Sequence, residues 1–225
     1  LDARFARLAW NSFALASVAA LLAIGCAMLI AYALRVRPGV VERLANRIGG
    51  LGYAMPGVVI AVGVMVPLTR LDQWLAGLLQ TAPGAPATLV LSGTVLALLY
   101  AYVVRFLAVA LQTVDAGLAR IRRSMDEAAR SLGAGPAATL ALVHAPLLAP
   151  SLIAAVLLVF VDVMKELPAT LALRPFDFDT LAVQTFNLAK DERLAEASIP
   201  ALAIVVVGLI PVYLLARGVA QEPAR

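Results

Sequence analysis

The sequence predicts an all-α membrane protein, a polytopic bundle of about five transmembrane helices. Of its 225 residues, 62% are hydrophobic and only 14% are charged, whereas soluble domains have roughly 45–50% apolar and about 25% charged residues. The mean hydropathy is +0.92. A soluble core could not bury this excess of apolar side chains, but a lipid bilayer can accommodate it.

Five stretches are long and apolar enough to cross a membrane, since about 20 helical residues span the roughly 30 Å hydrocarbon layer. In the second stretch, Pro56-Gly57 followed by Gly63 is expected to kink the helix and to allow close helix contact. The predicted spans are residues 11–34, 48–69, 88–113, 146–164 and 199–216.

The distribution of lysine and arginine predicts the orientation of these spans. Ten basic residues fall in the link between spans one and two, in the segment 115–145 and in the tail, against seven on the other side. Cytoplasmic segments carry the excess of positive charge, so 115–145 is predicted to face the cytoplasm. The net charge of +4 is explained by the same excess of lysine and arginine in cytoplasmic segments. No basic run is interleaved with aromatic residues, so nucleic acid is not expected as a partner.

The segment 115–145 is predicted to form two short helices. An apolar stripe recurs at helical spacing, and Ser124-x-x-Glu127 fits a capping box, so a helix is expected to start or restart at Ser124. Gly133 is expected to end it in a left-handed conformation, and a second helix is expected over 137–145 before Pro146 turns the chain into the membrane. The stripe consists of Leu118, Ile121, Met125, Ala128 and Leu132.

This segment also carries a spaced motif. Glu127-Ala128-Ala129 is followed by Gly133 and then by Val143-His144-Ala145-Pro146. The series resembles the cytoplasmic EAA loop of permease subunits in binding-protein-dependent ABC transporters, whose pattern is E-A-A-x3-G-x9-I-x-L-P, with Val143 replacing Ile and Ala145 replacing Leu.

The resemblance implies a type I, MetI-like permease fold in which 115–145 is the coupling loop. In that family the loop fits a groove on cytoplasmic ABC ATPase subunits. Glu127 would be the carboxylate at this contact and Gly133 the hinge. The chain has no P-loop sequence, so ATP and magnesium are expected on the partner ATPase, and neither catalytic residues nor a cofactor on this chain.

Residues 160–170, 174–181 and 189–197 resemble the carboxy-terminal half of ferric-iron permeases. This implies ferric iron as cargo, a periplasmic binding protein, a bacterial inner membrane and a second permease half, fused or separate. The chain would be a later part of a longer one, without its first span. Thiamine, molybdate, sulfate and polyamine permeases share the loop and remain alternatives.

Four charged residues in or beside the spans are candidates for the translocation path: Arg105, Asp162, Lys165 and Glu166. Arg105 is placed in the cytoplasmic third of span three. Because an arginine at a helix centre costs about 2.5–3.5 kcal/mol on insertion scales, it is expected to snorkel or to pair with a carboxylate. The alternative role for this group is interfacial anchoring with a local pair between Asp162 and Lys165.

Several other polar features are less specific. His144 is interpreted as a polar residue at the membrane surface, Cys26 as a small buried hydrophobe, and no metal site is expected. In the outer segment 167–198, Leu181, Thr185, Leu188 and Glu192 fit one face of a short amphipathic helix at the interface, with a solvated loop as the alternative.

Three other functions remain open. Half of an ion-driven secondary transporter could use Arg105 and Asp162 as a relay. A membrane enzyme using Asp162, or Tyr100 and Tyr102, would need a second acid or nucleophile that the sequence does not offer. A structural scaffold would leave the motif spacing unexplained.

Overall fold

The computed structural model describes residues 2–79 and 91–220, which are helical with no strand among them. Five of the described helices are long and apolar enough to cross a membrane, which confirms the predicted fold class. The elements are α1 (Ala3–Val36), α2 (Val40–Gly49), a 3₁₀ turn (Gly52–Ala54), α3 (Gly57–Leu79), α4 (Val95–Arg120), α5 (Arg123–Ser131), α6 (Pro136–Thr139), a π turn (Leu140–His144), α7 (Ala145–Met164), α8 (Pro168–Leu173), α9 (Leu181–Lys190) and α10 (Leu194–Ala220).

Helices α1, α4 and α7 contact one another and form the centre of the bundle. Their shared faces are built largely from alanine, including Ala16, Ala20, Ala101 and Ala155, which are fully buried. Small side chains let helices approach closely in lipid, where dispersion rather than water exclusion holds them together. Leu98, Phe106 and Leu148 are also buried there, but many other large apolar side chains point outward, as expected for a bundle surrounded by lipid.

The second predicted span, 48–69, is not one continuous helix, so its predicted bounds are wrong. The chain forms α2, a break with a 3₁₀ turn, and then α3 from Gly57. At the break Gly52 lies against α4, where an added Cβ would be 2.1 Å from the Val104 carbonyl oxygen. Pro56 has no N–H to continue a helix. The predicted kink at Pro56-Gly57 is therefore a complete interruption.

The third span begins later than predicted, at Val95 and not at residue 88, and it extends to Arg120. Residues 88–90 lie outside the described part of the chain. Just before α4, Gly93 has φ +75°, and the Asp72 carboxylate accepts hydrogen bonds from the backbone N–H groups of Leu91 and Ser92 at 2.8 and 2.6 Å. These contacts fix where the helix starts.

The position predicted for Arg105 is consequently wrong. Arg105 lies about 15 Å from the first residue of α4 and about 22 Å from the last, at 1.5 Å per residue. It is in the half of the helix away from α5, and not in the third nearest to it.

The fourth span is longer than predicted, because α6, the π turn and α7 run without a break from Pro136 to Met164. A turn into the membrane at Pro146 is therefore wrong, as is a separate helix ending at Ala145. Pro146 lies in the first turn of α7, just after the π turn. A wider turn accommodates the missing N–H and the bulk of the proline ring.

The outer segment contains two helices, α8 and α9, joined by a turn. The amphipathic helix expected around Leu181 is present as α9, but Leu181, Val183 and Leu188 are buried, and α9 packs on α10 and α1. Glu192 is not on its face, because the helix ends at Lys190 and Glu192 has φ +61°. The fifth span, α10, starts at Leu194 instead of residue 199.

Candidate functional site

Helix α5 is a short helix held between the ends of α4 and α6, with most of its surface exposed. Glu127 and Ala128 are exposed, whereas Ala129 is buried. Leu132, at the carboxyl end, has 86% of its surface exposed. Glu127 is therefore free to meet a partner, and α5 presents both charged and apolar side chains on its open side.

The end of α5 requires a glycine. Gly133 has φ +82°, and its N–H donates to the Arg130 carbonyl at 3.0 Å while the Ala134 N–H donates to the Ala129 carbonyl at 3.0 Å. This pair of bonds is a Schellman motif, whose left-handed residue is usually glycine. An added Cβ would meet no atom within 4 Å, so the backbone angle and not the space selects glycine.

The predicted restart of a helix at Ser124 is confirmed to within one residue, because α5 begins at Arg123. The predicted capping box is wrong, since the N-cap is Arg122, no side chain caps the helix and Ser124 lies inside it. The apolar stripe is also divided between two helices, because α4 ends at Arg120 and Ile121 is extended. The break is fixed by Arg35 of α1, which donates to the carbonyls of Leu118 and Ile121 at 2.6 and 2.8 Å.

The remaining motif positions lie where the chain joins the fourth span. Val143 is half-buried in the π turn, and Pro146 is exposed in the first turn of α7. Together with Glu127, Ala128, Ala129 and Gly133 they belong to one continuous unit between α4 and α7.

A buried polar cluster joins this unit to the bundle, and its centre is Asp126, next to Glu127. Arg35 Nε and Nη2 donate to Asp126 Oδ2 at 3.0 and 2.8 Å. His144 Nε2 lies 2.7 Å from Asp126 Oδ1, and the His144 side chain is completely buried. One carboxylate of α5 thus bridges α1 and the π turn before α7. We call Arg35, Asp126 and His144 the clamp.

Tyr32 extends the clamp toward α6. Its hydroxyl donates to the Pro136 carbonyl at 2.7 Å, and its ring packs edge-on against His144 with centroids 5.3 Å apart. A cavity of about 240 Å³ opens beside the cluster, between α1, α5 and α6. His144 is thus enclosed within the protein by Tyr32 and Asp126, and its position at the level of the membrane surface stays a prediction.

Sequence reasoning missed Asp126, Arg35 and Tyr32. Asp126 follows the pattern of an ordinary polar helix residue, and Arg35 is one of the ten basic residues that the predicted orientation already explains. A usable signal was available in the two adjacent carboxylates, because consecutive helix positions are 100° apart and the Asp126 and Glu127 side chains therefore leave the helix in different directions.

A second buried ion pair lies within the membrane-spanning region. Arg105 Nε is 3.2 Å from Glu166 Oε2, and Arg105 Nη1 donates to the Met55 carbonyl at 2.8 Å. Glu166 is only 7% exposed and its Oε1 accepts from the Ala169 N–H at 3.1 Å. An added Cβ on Gly57 would lie 2.5 Å from the same oxygen. The pair therefore sits where the break before α3, the middle of α4 and the corner between α7 and α8 meet.

Asp162 and Lys165 form a separate pair of 2.8 Å at positions i and i+3. The Lys165 side chain is 62% exposed, and the hydrogen bond to Asp162 raises its pKa. The four predicted path residues are therefore arranged as two pairs, one buried and one open. Arg105 meets Glu166 and not Asp162, so the relay imagined for a secondary transporter is not formed by those two residues.

Among the described residues, no three or more His, Cys, Asp or Glu side chains are grouped so as to hold a metal ion.

Comparison with known proteins gives a family. A sequence family described as "Binding-protein-dependent transport system inner membrane component" matches residues 15–223. The Fe(3+)-transport system permease protein FbpB 2 of Haemophilus influenzae is 29% identical over 207 residues, covering 92% of this chain and 38% of that protein. This chain thus spans well under half the length of that relative.

Other relatives are named for a different cargo. The putative 2-aminoethylphosphonate transport system permease protein PhnV of Salmonella paratyphi A is 29% identical over 213 residues, covering 93% of this chain and 74% of that protein. The PhnV protein of Salmonella typhimurium matches to the same extent.

Solved structures show the same fold. A bacterial ABC transporter involved in import of the acidic polysaccharide alginate matches 96% of this chain and 80% of its own with a TM-score of 0.71 at 14% identity. The alginate transporter in complex with an alginate pentasaccharide-bound periplasmic protein matches 99% of this chain and 82% of its own with a TM-score of 0.73 at 15% identity.

Proposed function

Because this chain belongs to the family of binding-protein-dependent transport system inner membrane components, and is thus the permease subunit of an ABC importer and not an enzyme, we propose that it imports ferric iron across a bacterial inner membrane. The support for iron is the resemblance of residues 160–170, 174–181 and 189–197 to iron permeases, together with the FbpB 2 relative.

A second cargo, 2-aminoethylphosphonate, is favoured by the PhnV relatives, which have the same identity to this chain. The two cargoes differ in charge, a small cation complex against a zwitterionic phosphonate. They are therefore separable by a direct uptake assay.

The observation that carries the proposed mechanism is the exposed, glycine-terminated α5 between two spans. Glu127 is exposed and lines the open cavity between α1, α5 and α6, so its carboxylate is accessible to a cation on a partner, as expected for a contact with a cytoplasmic ABC ATPase. ATP and magnesium bind that ATPase. Closure of the two ATPase subunits moves α5, and the spans then alternate between openings toward the two sides of the membrane.

The route for the cargo passes the charged groups of α4 and of the corner between α7 and α8. A buried pair such as Arg105–Glu166 costs desolvation free energy that its attraction only partly offsets. Such a pair is retained where a specific arrangement or a change of arrangement matters. We assign the Arg105–Glu166 pair to a closed section of the cargo route. The exposed Asp162–Lys165 pair is assigned to the edge of that route.

On the side opposite α5, the loop between α8 and α9 offers a surface for the periplasmic binding protein. Phe176 is fully exposed at its tip. The loop is held by the Arg174–Asp179 ion pair and by a hydrogen bond of 3.1 Å from the Asn11 side chain to the Asp179 carbonyl. An aromatic side chain on a fixed loop loses little entropy on binding and is a common interface anchor.

The test is uptake by the complete transporter in proteoliposomes, supplied with ATP and a loaded binding protein. Radioactive ferric iron is expected to accumulate and 2-aminoethylphosphonate is not. The reverse result would replace the cargo. Uptake that needs a proton gradient and continues without ATP would remove the importer mechanism and favour the secondary transporter.

The coupling contact is tested in the same system by Glu127→Lys, which is expected to abolish co-purification of the ATPase. Glu192→Lys is the matched control, because Glu192 is also exposed but lies near the start of α10, away from α5. Normal ATPase assembly and uptake by Glu127→Lys would contradict the role of Glu127.

A further inference from the structure

We propose that Asp126 positions α5, the proposed coupling helix, and passes the movement of α5 to α1 and α7. The neighbouring Glu127 contacts the ATPase. This inference rests on the proposed function, since it assumes that α5 meets an ATPase. It assigns separate tasks to two adjacent carboxylates, of which the motif includes only the second.

Apolar packing alone holds α5 weakly. Ala129 is its single buried residue among those that the structure describes, and Met125 and Leu132 are both exposed. An alanine has little surface to remove from water, so its burial contributes little attachment free energy. The cavity between α1, α5 and α6 reduces contact on one side further.

The polar contacts of Asp126 supply the attachment that packing lacks. Asp126 Oδ2 accepts hydrogen bonds from Arg35 of α1, and Oδ1 lies 2.7 Å from His144 Nε2 of the π turn, a close contact without hydrogen-bond geometry. The Arg35 and Asp126 side chains are 12% and 19% exposed, so water screens their attraction far less than at an open surface. Displacing α5 must either move α1 and the π turn with it or break these contacts.

Arg35 makes the connection rigid. Besides Asp126 it holds the carbonyls of Leu118 and Ile121, the last turn of α4, so one guanidinium joins α1, α4 and α5. A planar guanidinium with fixed donor directions resists rotation better than a lysine ammonium. Movement of α5 thus reaches α1 and α4 through Arg35, and α7 through His144.

The geometry of α5 separates the two carboxylates. Positions 126 and 127 are 100° apart around the helix, and Asp126 is half-buried while Glu127 is exposed. A substitution of Asp126 should therefore leave the surface that contacts the ATPase intact, and a substitution of Glu127 should leave the clamp intact.

The experiment compares Asp126→Asn with Glu127→Gln in the complete transporter in proteoliposomes. Asp126→Asn is expected to retain ATPase assembly and ATP hydrolysis while cargo imported per ATP falls by about tenfold or more, since removing one charge from a buried pair is costly. Glu127→Gln is expected to lose ATPase assembly instead. Asp126→Glu should recover part of the lost coupling.

A second readout does not depend on transport. In the purified chain, amide hydrogen exchange of residues 123–131 is expected to speed up in Asp126→Asn and to remain unchanged in Glu127→Gln. If Asp126→Asn does not accumulate in membranes, Arg35→Gln is measured in its place, with the same expected loss of coupling.

The outcomes separate the two proposals. Absence of ATP-driven uptake by the unaltered transporter refutes the proposed function, and the exchange measurement still tests the clamp. Unchanged exchange, or normal import per ATP in Asp126→Asn, overturns the inference. Loss of ATPase assembly in Asp126→Asn but not in Glu127→Gln would reverse the two roles and also overturn it.

Discussion

The Arg35–Asp126 and Arg105–Glu166 ion pairs, both largely shielded from solvent, differ in how many hydrogen bonds their arginines donate. Within the described residues, Arg35 donates four hydrogen bonds, two to Asp126 and two to backbone carbonyls. Arg105 donates one, to Met55, while its Nε is buried beside Glu166 without a hydrogen bond. A fully bonded arginine fixes the elements around it, whereas a partly bonded one has less to lose on changing partner.

This difference matches the tasks proposed for the two regions. The clamp joins a surface helix to the spans and has to transmit force without yielding. The Arg105–Glu166 pair joins two interruptions of the backbone to the middle of α4, where the proposed mechanism needs the spans to rearrange. Substitutions in each of the two regions test this difference.

The largest effect is expected from removing one partner of the buried membrane pair. Arg105→Leu or Glu166→Leu alone leaves an uncompensated buried charge, which costs about 3–5 kcal/mol. The double variant removes both charges and should be much less destabilised than either single variant. The losses of stability are measured by heating the detergent-solubilised variants and quantifying the remaining folded protein by size-exclusion chromatography. Additive losses in the double variant would show that the pair is not an interacting unit.

The next effect concerns the close approach at the broken helix. Gly52→Ala places a Cβ 2.1 Å from the Val104 carbonyl oxygen, and the backbone has to shift at a cost of about 1–3 kcal/mol. Gly25→Ala is the control, because its added Cβ meets no atom within 4 Å. The same thermal assay should show a loss for the first variant alone. Equal stability of both variants would mean that the break is loosely packed.

A smaller loss of stability is expected at the end of α5. Gly133→Ala forces an alanine to φ +82° and should cost about 1 kcal/mol, whereas Gly135→Ala, with no atom within 4 Å and an ordinary φ of −72°, should cost nothing. Limited proteolysis at 131–136 reports this local loosening. Faster cleavage of Gly135→Ala would contradict the turn geometry.

The smallest effect belongs to the open pair. Lys165→Gln removes a charge that is 62% exposed, and exposed pairs contribute about 0–1 kcal/mol. Its melting temperature should be close to that of the unaltered chain. A loss as large as that of Glu166→Leu would place Lys165 in the same buried unit as Arg105.

The sequence was sufficient for features that depend on local chemistry. The number of spans follows from the long apolar runs, although the bounds of the spans do not, and the left-handed conformation of Gly133 follows from its own backbone freedom. The pairing of Asp162 with Lys165 follows from helical spacing. Each of these depends on residues within one element, so periodicity and residue type were enough.

The features that were missed depend on residues far apart in the chain. Arg35 and Asp126 are 91 positions apart, and the ends of α4 are set by Arg35 and Asp72, not by its own residues. Pairing of Arg105 with a carboxylate was expected, but Glu166 could be identified only once the break at Gly52 had brought α3, α4 and α8 together. Tertiary contacts therefore overrode the local signals at Ser124 and Pro146.

The proposal that α5 is the cytoplasmic contact for a separate ATPase is tested by the accessibility of position 127 from each side of the membrane. In a Glu127→Cys variant that also carries Cys26→Ala, a membrane-impermeant thiol reagent is expected to label inside-out vesicles but not intact cells. Bound ATPase subunits should block the labelling. Labelling from the outer side, or equal labelling with and without the ATPase, would contradict the claim.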